Sequence, residues 1–194
     1  LFRSNVLNNT RVGRSETLSL RGALKAALAP NVKWTLRGDY QRGKGDGQAV
    51  VSVDAATVTP AAAAGFLSRL GGRTPLVNQT YSYQLAQQTG GSLNDQQGGV
   101  ASDMTLDLDG YTVRLLSGYR EWRNRQYEAD AVLTPALLFD RTSRYASSSH
   151  SQELQLISPD KLLDGHLRYV FGVYYFRERY SIDSSVNLGR SEEH

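Results

Sequence analysis

With 194 residues, 40% hydrophobic and 21% charged, the chain is neither disordered by composition nor a helical membrane protein. A net charge of +3, a pI near 9.2 and no long basic run argue only weakly for nucleic acid, and the absence of cysteine excludes a disulfide framework or thiolate metal site. No window approaches the roughly 18 apolar residues of a transmembrane helix, although that test is blind to barrels, whose lumen-facing polar and lipid-facing apolar residues alternate and cancel.

Leu1-Phe2-Arg3-Ser4-Asn5 has no apolar signal-peptide core behind it, and Ser191-Glu192-Glu193-His194 has no strand pattern. Both ends therefore read as cut from a longer chain. Residues 16–28 predict a strand with Leu18, Leu20, Gly22, Leu24 and Ala26 on one face and Thr17, Ser19, Arg21, Ala23 and Lys25 on the other. Ala29-Pro30-Asn31 is a compact turn, since proline presets φ and asparagine tolerates unusual backbone angles. Residues 32–40 return with Val32, Trp34, Leu36, Gly38 and Tyr40 opposite Lys33, Thr35, Arg37 and Asp39. Trp34 and Tyr40 sit near opposite ends of the apolar face, where interfacial aromatics belong.

Residues 43–100 lose the period of two and read as a long loop rich in Gly, Ala, Gln and Thr. A short helix is expected over 60–70, capped by Thr59 and stopped by Gly71-Gly72. Alternation resumes at 101–108, with Met104, Leu106 and Leu108 against Asp103, Thr105 and Asp107. Asp109-Gly110 then signals a tight hairpin. Residues 111–127 return with Val113, Leu115 and Tyr119 on the apolar face, and the register beyond Tyr119 stays open. A second loop is expected over 128–148. The last hairpin, 149–181, pairs Gln152-Glu153-Leu154-Gln155-Leu156-Ile157 with a long aromatic strand over 167–180, across a tight turn at 158–165.

The expected fold is thus all-β: an antiparallel meander of about six long amphipathic strands in hairpins near 16–42, 101–127 and 149–181. Short turns alternate with long loops, the asymmetry of outer-membrane barrels. Strands this long exceed the usual five or six residues, whereas about nine to eleven cross a bilayer at a tilt. The register expectation is specific. Leu18, Leu20, Leu24, Trp34, Leu36, Leu106, Leu154, Leu156, Phe171 and Val173 share one continuous face, and Arg21, Lys25, Arg37 and Asp103 the other.

Four segments, in order, resemble TonB-dependent outer-membrane receptors. Ser149-His150-Ser151-Gln152-Glu153-Leu154-Gln155-Leu156-Ile157-Ser158-Pro159 is similar to the family's SQELRL strand, with Gln155 in place of arginine. Leu167-Arg168-Tyr169-Val170-Phe171-Gly172-Val173-Tyr174-Tyr175-Phe176 resembles the aromatic strand that follows, with Tyr169 in place of tryptophan. Leu20-Arg21-Gly22-Ala23-Leu24-Lys25 looks like an earlier family hairpin, and Val113-Arg114-Leu115-Leu116-Ser117-Gly118-Tyr119-Arg120 like a later strand. The resemblance implies an incomplete, central piece of a closed barrel of about 22 strands, an N-terminal plug domain and TonB box outside this segment, and location in the bacterial outer membrane. It implies as partners the TonB complex, the protein's own plug, membrane lipid and a small nutrient ligand such as a ferric siderophore. A passive porin-type channel and a soluble antiparallel β-domain binding carbohydrate or protein are the alternatives.

Enzyme chemistry finds no support. Gly38-Asp39-Tyr40-Gln41-Arg42-Gly43-Lys44 has phosphate-loop spacing, but Gly45 stands where the magnesium-binding hydroxyl belongs and no helix pattern follows. The bland reading is a strand end entering a glycine-rich loop. His150, expected to start a strand, His166 and His194 have no ligand spacing, and no G-x-S-x-G occurs. Asp103 and Asp107 fall about 13 Å apart on one face at strand rise, too far to share an ion, and Asp109 belongs to the turn. No catalytic, metal or cofactor residue is expected, and no cofactor. Arg21, Lys25, Lys33, Arg37 and Asp39 form a charged face on the first hairpin. In a barrel they look into the lumen and suit plug docking or passage of an anionic ligand, against simple solvation as the bland reading. Tyr81 and Tyr83, in the long loop, are further candidates for ligand contact. Asn8-Asn9-Thr10 and Asn78-Gln79-Thr80 have glycosylation spacing, without meaning in a bacterial outer membrane.

Overall fold

A computed structural model gives the fold, and it describes residues 3–5, 9–47, 84–85, 90–128, 139–160 and 163–188. In chain order the strands are β1 (Arg3–Asn5), β2 (Thr10–Val12), β3 (Ser15–Ala29), β4 (Val32–Gly45), β5 (Gln84–Leu85), β6 (Ser92–Leu108), β7 (Tyr111–Glu128), β8 (Phe139–Ile157) and β9 (Val170–Leu188). There is no helix among the described residues. The six long strands form one antiparallel meander, β3-β4-β6-β7-β8-β9. The sheet is open: among the described residues β3 and β9 each have a ladder on one side only. A small second sheet, β2-β1-β5, pairs β1 antiparallel to β2 and parallel to β5.

The turns form for local reasons. β3 and β4 are joined by Pro30-Asn31, after a bulge between Ala27 and Ala29. Asn31 then ties this turn to the next hairpin, since its Nδ2 donates to the Asp107 carbonyl at 3.1 Å and its own carbonyl accepts from the Asp107 N–H at 2.9 Å. Asp109 and Gly110 both have positive φ, 47° and 89°, the conformation of a two-residue turn whose twist matches a hairpin. The last connection is not the tight turn expected from Ser158-Pro159-Asp160. It spans 158–169 and is closed where the Ser158 N–H donates to the Tyr169 carbonyl at 3.0 Å and the Tyr169 N–H to Ser158 Oγ at 2.9 Å. Desolvation first, then a hydrogen bond to Tyr111, holds the Tyr169 phenol above its ordinary pKa.

Directly opposed residues of an antiparallel ladder point to the same face, so the register assigns every side chain. Leu24 opposes Leu36, Trp34 opposes Met104, Val32 opposes Leu106, and Leu106 opposes Val113. Val113 and Leu115 oppose Leu156 and Leu154, which oppose Phe171 and Val173. The ten residues expected on one continuous face are on it, and Arg21, Lys25, Arg37 and Asp103 are on the other.

The leucine face has a sloping border. Its last apolar residue, moving away from the turns, is Leu18 on β3, Tyr40 on β4, Val100 on β6, Tyr119 on β7, Leu154 on β8 and Tyr175 on β9. From Leu18 to Tyr175 the border drops six residues along the strands while crossing five strand spacings. That is about 20 Å against about 24 Å, a slope of about 40° to the ladder rows.

Several boundaries differ from the sequence reading. β4 continues to Gly45, β6 begins at Ser92 and β8 at Phe139, so strands occupy both ends of the expected loop at 43–100 and much of that at 128–148. Past the border the leucine face turns polar and charged, so its hydrophobic period vanishes while the backbone ladder continues. The phosphate-loop-like stretch is therefore extended strand, and His150 lies inside β8 rather than at its start. The connection 158–169 is longer than 129–138, so the strict short–long alternation holds only for the first two turns. β1, β2 and β5 were not foreseen, being too short to show a period. The helix expected over 60–70 lies outside the described residues.

Gly110 generates a direct test. A Cβ there would lie 3.2 Å from Pro159 Cβ, and φ is 89°. Gly110→Val is expected to lower the stability of the intact protein by about 1–2 kcal/mol, read as a lower urea midpoint, with a smaller loss for Gly110→Asn because asparagine tolerates positive φ.

Candidate functional site

The face opposite the leucines holds the candidate site, and it divides into a charged half and an aromatic half. Arg21, Lys25, Lys33, Arg37 and Asp39 all point to it, as the ladder pairs of Arg21 with Asp39 and Lys25 with Thr35 require. Asp39 accepts from Arg120 Nη2 at 2.8 Å on both carboxylate oxygens. Between them, on β6, lies Gly99, opposite both. A Cβ on Gly99 would sit 3.5 Å from Arg120 Nε and 2.8 Å from the Tyr119 carbonyl oxygen, so the glycine clears the path of the arginine across the intervening strand. Lys33 Nζ reaches Asp107 at 3.8 Å, a long and exposed pair. Arg21, Lys25 and Arg37 have no carboxylate within 4 Å among the described residues. A shallow hollow on this face is lined by Arg21, Arg37, Asp39, Gln41, Gln97 and Arg120.

Asp103 lies on the charged face and is paired. Arg114 binds it through two parallel bonds, Nε to Oδ1 at 2.9 Å and Nη2 to Oδ2 at 2.7 Å, the fork geometry that guanidinium and carboxylate favour. Asp107 accepts from the Thr112 hydroxyl at 3.0 Å. Cations and carboxylates thus interleave over β4, β6 and β7.

Farther from the turns the same face becomes aromatic. Trp122 packs against Tyr145, ring centroids 6.1 Å apart, and against Tyr180 at 6.5 Å with planes only 6° apart. Ser147 lies opposite both Trp122 and Tyr180, and this small residue leaves room for the two rings to approach. The Trp122 indole N–H donates to Asp95 Oδ1 at 2.8 Å, and Asn124 Nδ2 donates to the same oxygen at 2.7 Å. Asn124 is buried and its Oδ1 has no partner among the described residues, leaving an acceptor on this face. Tyr174 and Phe176 on β9 stack at 6.5 Å and extend the aromatic stripe towards the turns. β9 is accordingly apolar on both faces near its start, a departure from a simple amphipathic strand.

The sequence reading found the first-hairpin cluster and missed Arg114, Arg120, Asp95, Trp122, Asn124, Tyr145 and Tyr180. The signal was present: continuing the alternation from Tyr111 through Tyr119 puts Arg120, Trp122 and Asn124 on the charged face. Tyr81 and Tyr83 lie outside the described residues. His150 lies on the leucine face with an edge contact to Tyr175 at 6.3 Å, and His166 is in the last connection. Among the described residues no group of three histidine or acidic side chains could hold a metal ion. Comparison with known protein families, curated proteins and solved structures gives no match.

Asp95 is the testable support of the aromatic half. Asp95→Ala leaves the Trp122 and Asn124 donors without their acceptor and is expected to destabilise the intact protein by about 1–3 kcal/mol. An unchanged unfolding midpoint would mean that this carboxylate does not hold the patch together.

Proposed function

We propose that this chain is part of the barrel wall of a TonB-dependent outer-membrane receptor, which takes up a scarce nutrient such as a ferric siderophore. The observation that carries the reading is a single-layer sheet whose apolar face has no protein cover among the described residues. Among the described residues Val12 is the one buried hydrophobic side chain, while Leu20 is 58% exposed, Val173 61% and Phe171 65%. A soluble β-domain would hide these side chains beneath a second sheet. The only other sheet described has strands of three, three and two residues.

Lipid is the cover that fits. On β6 and β7 the apolar stretch from Leu108 to Val100 and from Tyr111 to Tyr119 runs about 27 Å along the strand, or roughly 21 Å along the membrane normal at barrel tilt. Transmembrane barrels have an apolar band about 25 Å tall and strands tilted about 35–45°. The border slope of about 40° is what such a tilt produces, because a horizontal membrane plane cuts tilted strands obliquely. Tyr40, Tyr119 and Tyr175 sit on that border, as interfacial aromatics do. The two open edges would pair with further strands of the same barrel.

In this reading the charged face looks inward. The basic surplus of Arg21, Lys25 and Arg37 suits docking of the plug or passage of an anionic ligand, and the Trp122 patch suits contact with a planar ligand nearer the outer mouth. Energy from TonB would rearrange the plug, with no covalent chemistry in the wall. The four family-like segments favour the energised receptor over a passive porin.

Two measurements test the proposal. Met104→Arg, on the lipid face, is expected to cost about 2–4 kcal/mol of membrane stability, while its neighbour Thr105→Arg, on the inner face, leaves insertion intact; folding into bilayers reads both. In the native cell, deletion of this gene should abolish growth on its limiting nutrient, and deletion of TonB should do the same. Transport that persists without TonB would indicate a porin, and recovery of the protein in the soluble fraction would sink both membrane readings.

A further inference from the structure

We infer that the Trp122–Tyr180 ring pair and the Glu178 carboxylate form a binding site for an organic cation, an alkylammonium head carried by the ligand. This rests on the barrel reading above, which turns the site towards the lumen, and it gives that reading a ligand class.

The ladder register assembles the site. On β9, Phe176, Glu178 and Tyr180 follow one another on the inner face, each about 7 Å from the next. On β8 they stand opposite Ser151, Ser149 and Ser147, so a row of small hydroxyl side chains lies beside them. Trp122 is the other neighbour of Ser147, two strand spacings or about 10 Å from Tyr180 along the row. The two rings nevertheless approach to 6.5 Å with nearly parallel planes, so they lean together over Ser147. The Ser147 hydroxyl donates to Glu178 Oε1 at 2.8 Å. The carboxylate is thereby drawn to the foot of the ring pair. Phe176 and Tyr180, on either side of it along the strand, are 52% and 55% exposed.

The polar groups around the rings have acceptors to spare. Glu178 and Asp95 have no cation within 4 Å among the described residues. Arg177 and Arg179, next to Glu178 in sequence, point to the leucine face. Asp95 is held by the neutral donors Trp122 Nε1 and Asn124 Nδ2. Arg120 shares the row of Glu178 through Ser149, but its guanidinium is turned the other way, to Asp39. Farther from the turns Arg141 is bonded to Glu128. Arg21, Lys25 and Arg37 lie on β3 and β4, at least four strand spacings or about 19 Å away.

Rings and surplus acceptors suit the same guest. Aromatic faces attract a cation, tryptophan most strongly, and a carboxylate at their foot adds ion pairing. An anionic ligand would meet Glu178 and Asp95 with no free donor to offset them. A neutral apolar ligand would strip water from the Glu178 carboxylate and give nothing back.

The test is equilibrium titration of the intact protein in detergent with choline and with its uncharged carbon isostere, 3,3-dimethylbutanol. The parent should bind choline about tenfold more tightly than the isostere. Glu178→Gln, at an exposed position, should weaken choline binding about tenfold at an unchanged unfolding midpoint, and Tyr180→Leu should weaken it as well. Equal binding of choline and the isostere, no choline binding by the parent, or undiminished binding by Glu178→Gln would overturn the cation site and leave the barrel reading standing. The expected pattern in a protein that fails to insert into bilayers would keep the site and overturn the barrel reading.

Discussion

Everything in this structure depends on one constraint: a six-stranded sheet presents a continuous apolar face that the described protein does not cover. Backbone hydrogen bonding is satisfied along the ladders, so the sheet needs no second layer for its polar groups. Its leucine face is another matter. Exposed apolar patches of more than a few hundred Å² are rare on monomeric soluble proteins and mark surfaces that something else covers, and this face extends over six strands. Whatever covers it fixes what the protein is.

The same constraint explains the division of labour between the faces. Because side chains alternate strictly, each strand carries an apolar and a polar face at once. Over the band, one face is Leu, Val, Trp and Tyr, and the other is a lattice of cross-strand charges. Ser102, an exception on the apolar side, accepts the Trp34 indole N–H at 2.8 Å and is not left unpaired. Gly98, also on that side, lies under the Tyr40 ring, whose Cδ2 would be 3.4 Å from an added Cβ. The charged lattice is held by short pairs between strands, Arg114 on Asp103 across one ladder and Arg120 on Asp39 across the intervening β6 at Gly99. Individually such half-exposed pairs contribute little stability. Collectively they fix side-chain directions on a surface that has no packed core behind it.

How much of this was legible in the sequence depended on contrast between the faces. From Leu18 to Tyr40, Met104 to Leu115 and Leu154 to Leu156 the contrast between the faces is strong, and the strands, their register and the Asp109-Gly110 turn could be read directly. The period fades beyond Tyr119 because Glu121, Arg123 and Arg125 replace apolar residues on the leucine face. It fades before Val100 because Gly98 and Gly99 have no side chain to contribute, and before His150 because Ser147, Ser148 and Ser149 are alike on both faces. Strand pairing persisted there without a hydrophobic signal, so the aromatic half of the site was missed along with the strand ends. The partner of Asp39 was hidden for a different reason: Arg120 is 81 residues from Asp39 in sequence, and only the ladder brings them together.

The most direct measurement is site-by-site solvent accessibility along β7 in the intact protein added to lipid bilayers, with single spin labels at consecutive positions 111–119. The account predicts a period of two, with positions 111, 113, 115, 117 and 119 relaxed by oxygen dissolved in lipid and positions 112, 114, 116 and 118 relaxed by a water-soluble nickel reagent. Access of the water-soluble reagent to the leucine face, or protection of that face from both reagents as beneath a second protein layer, would contradict it.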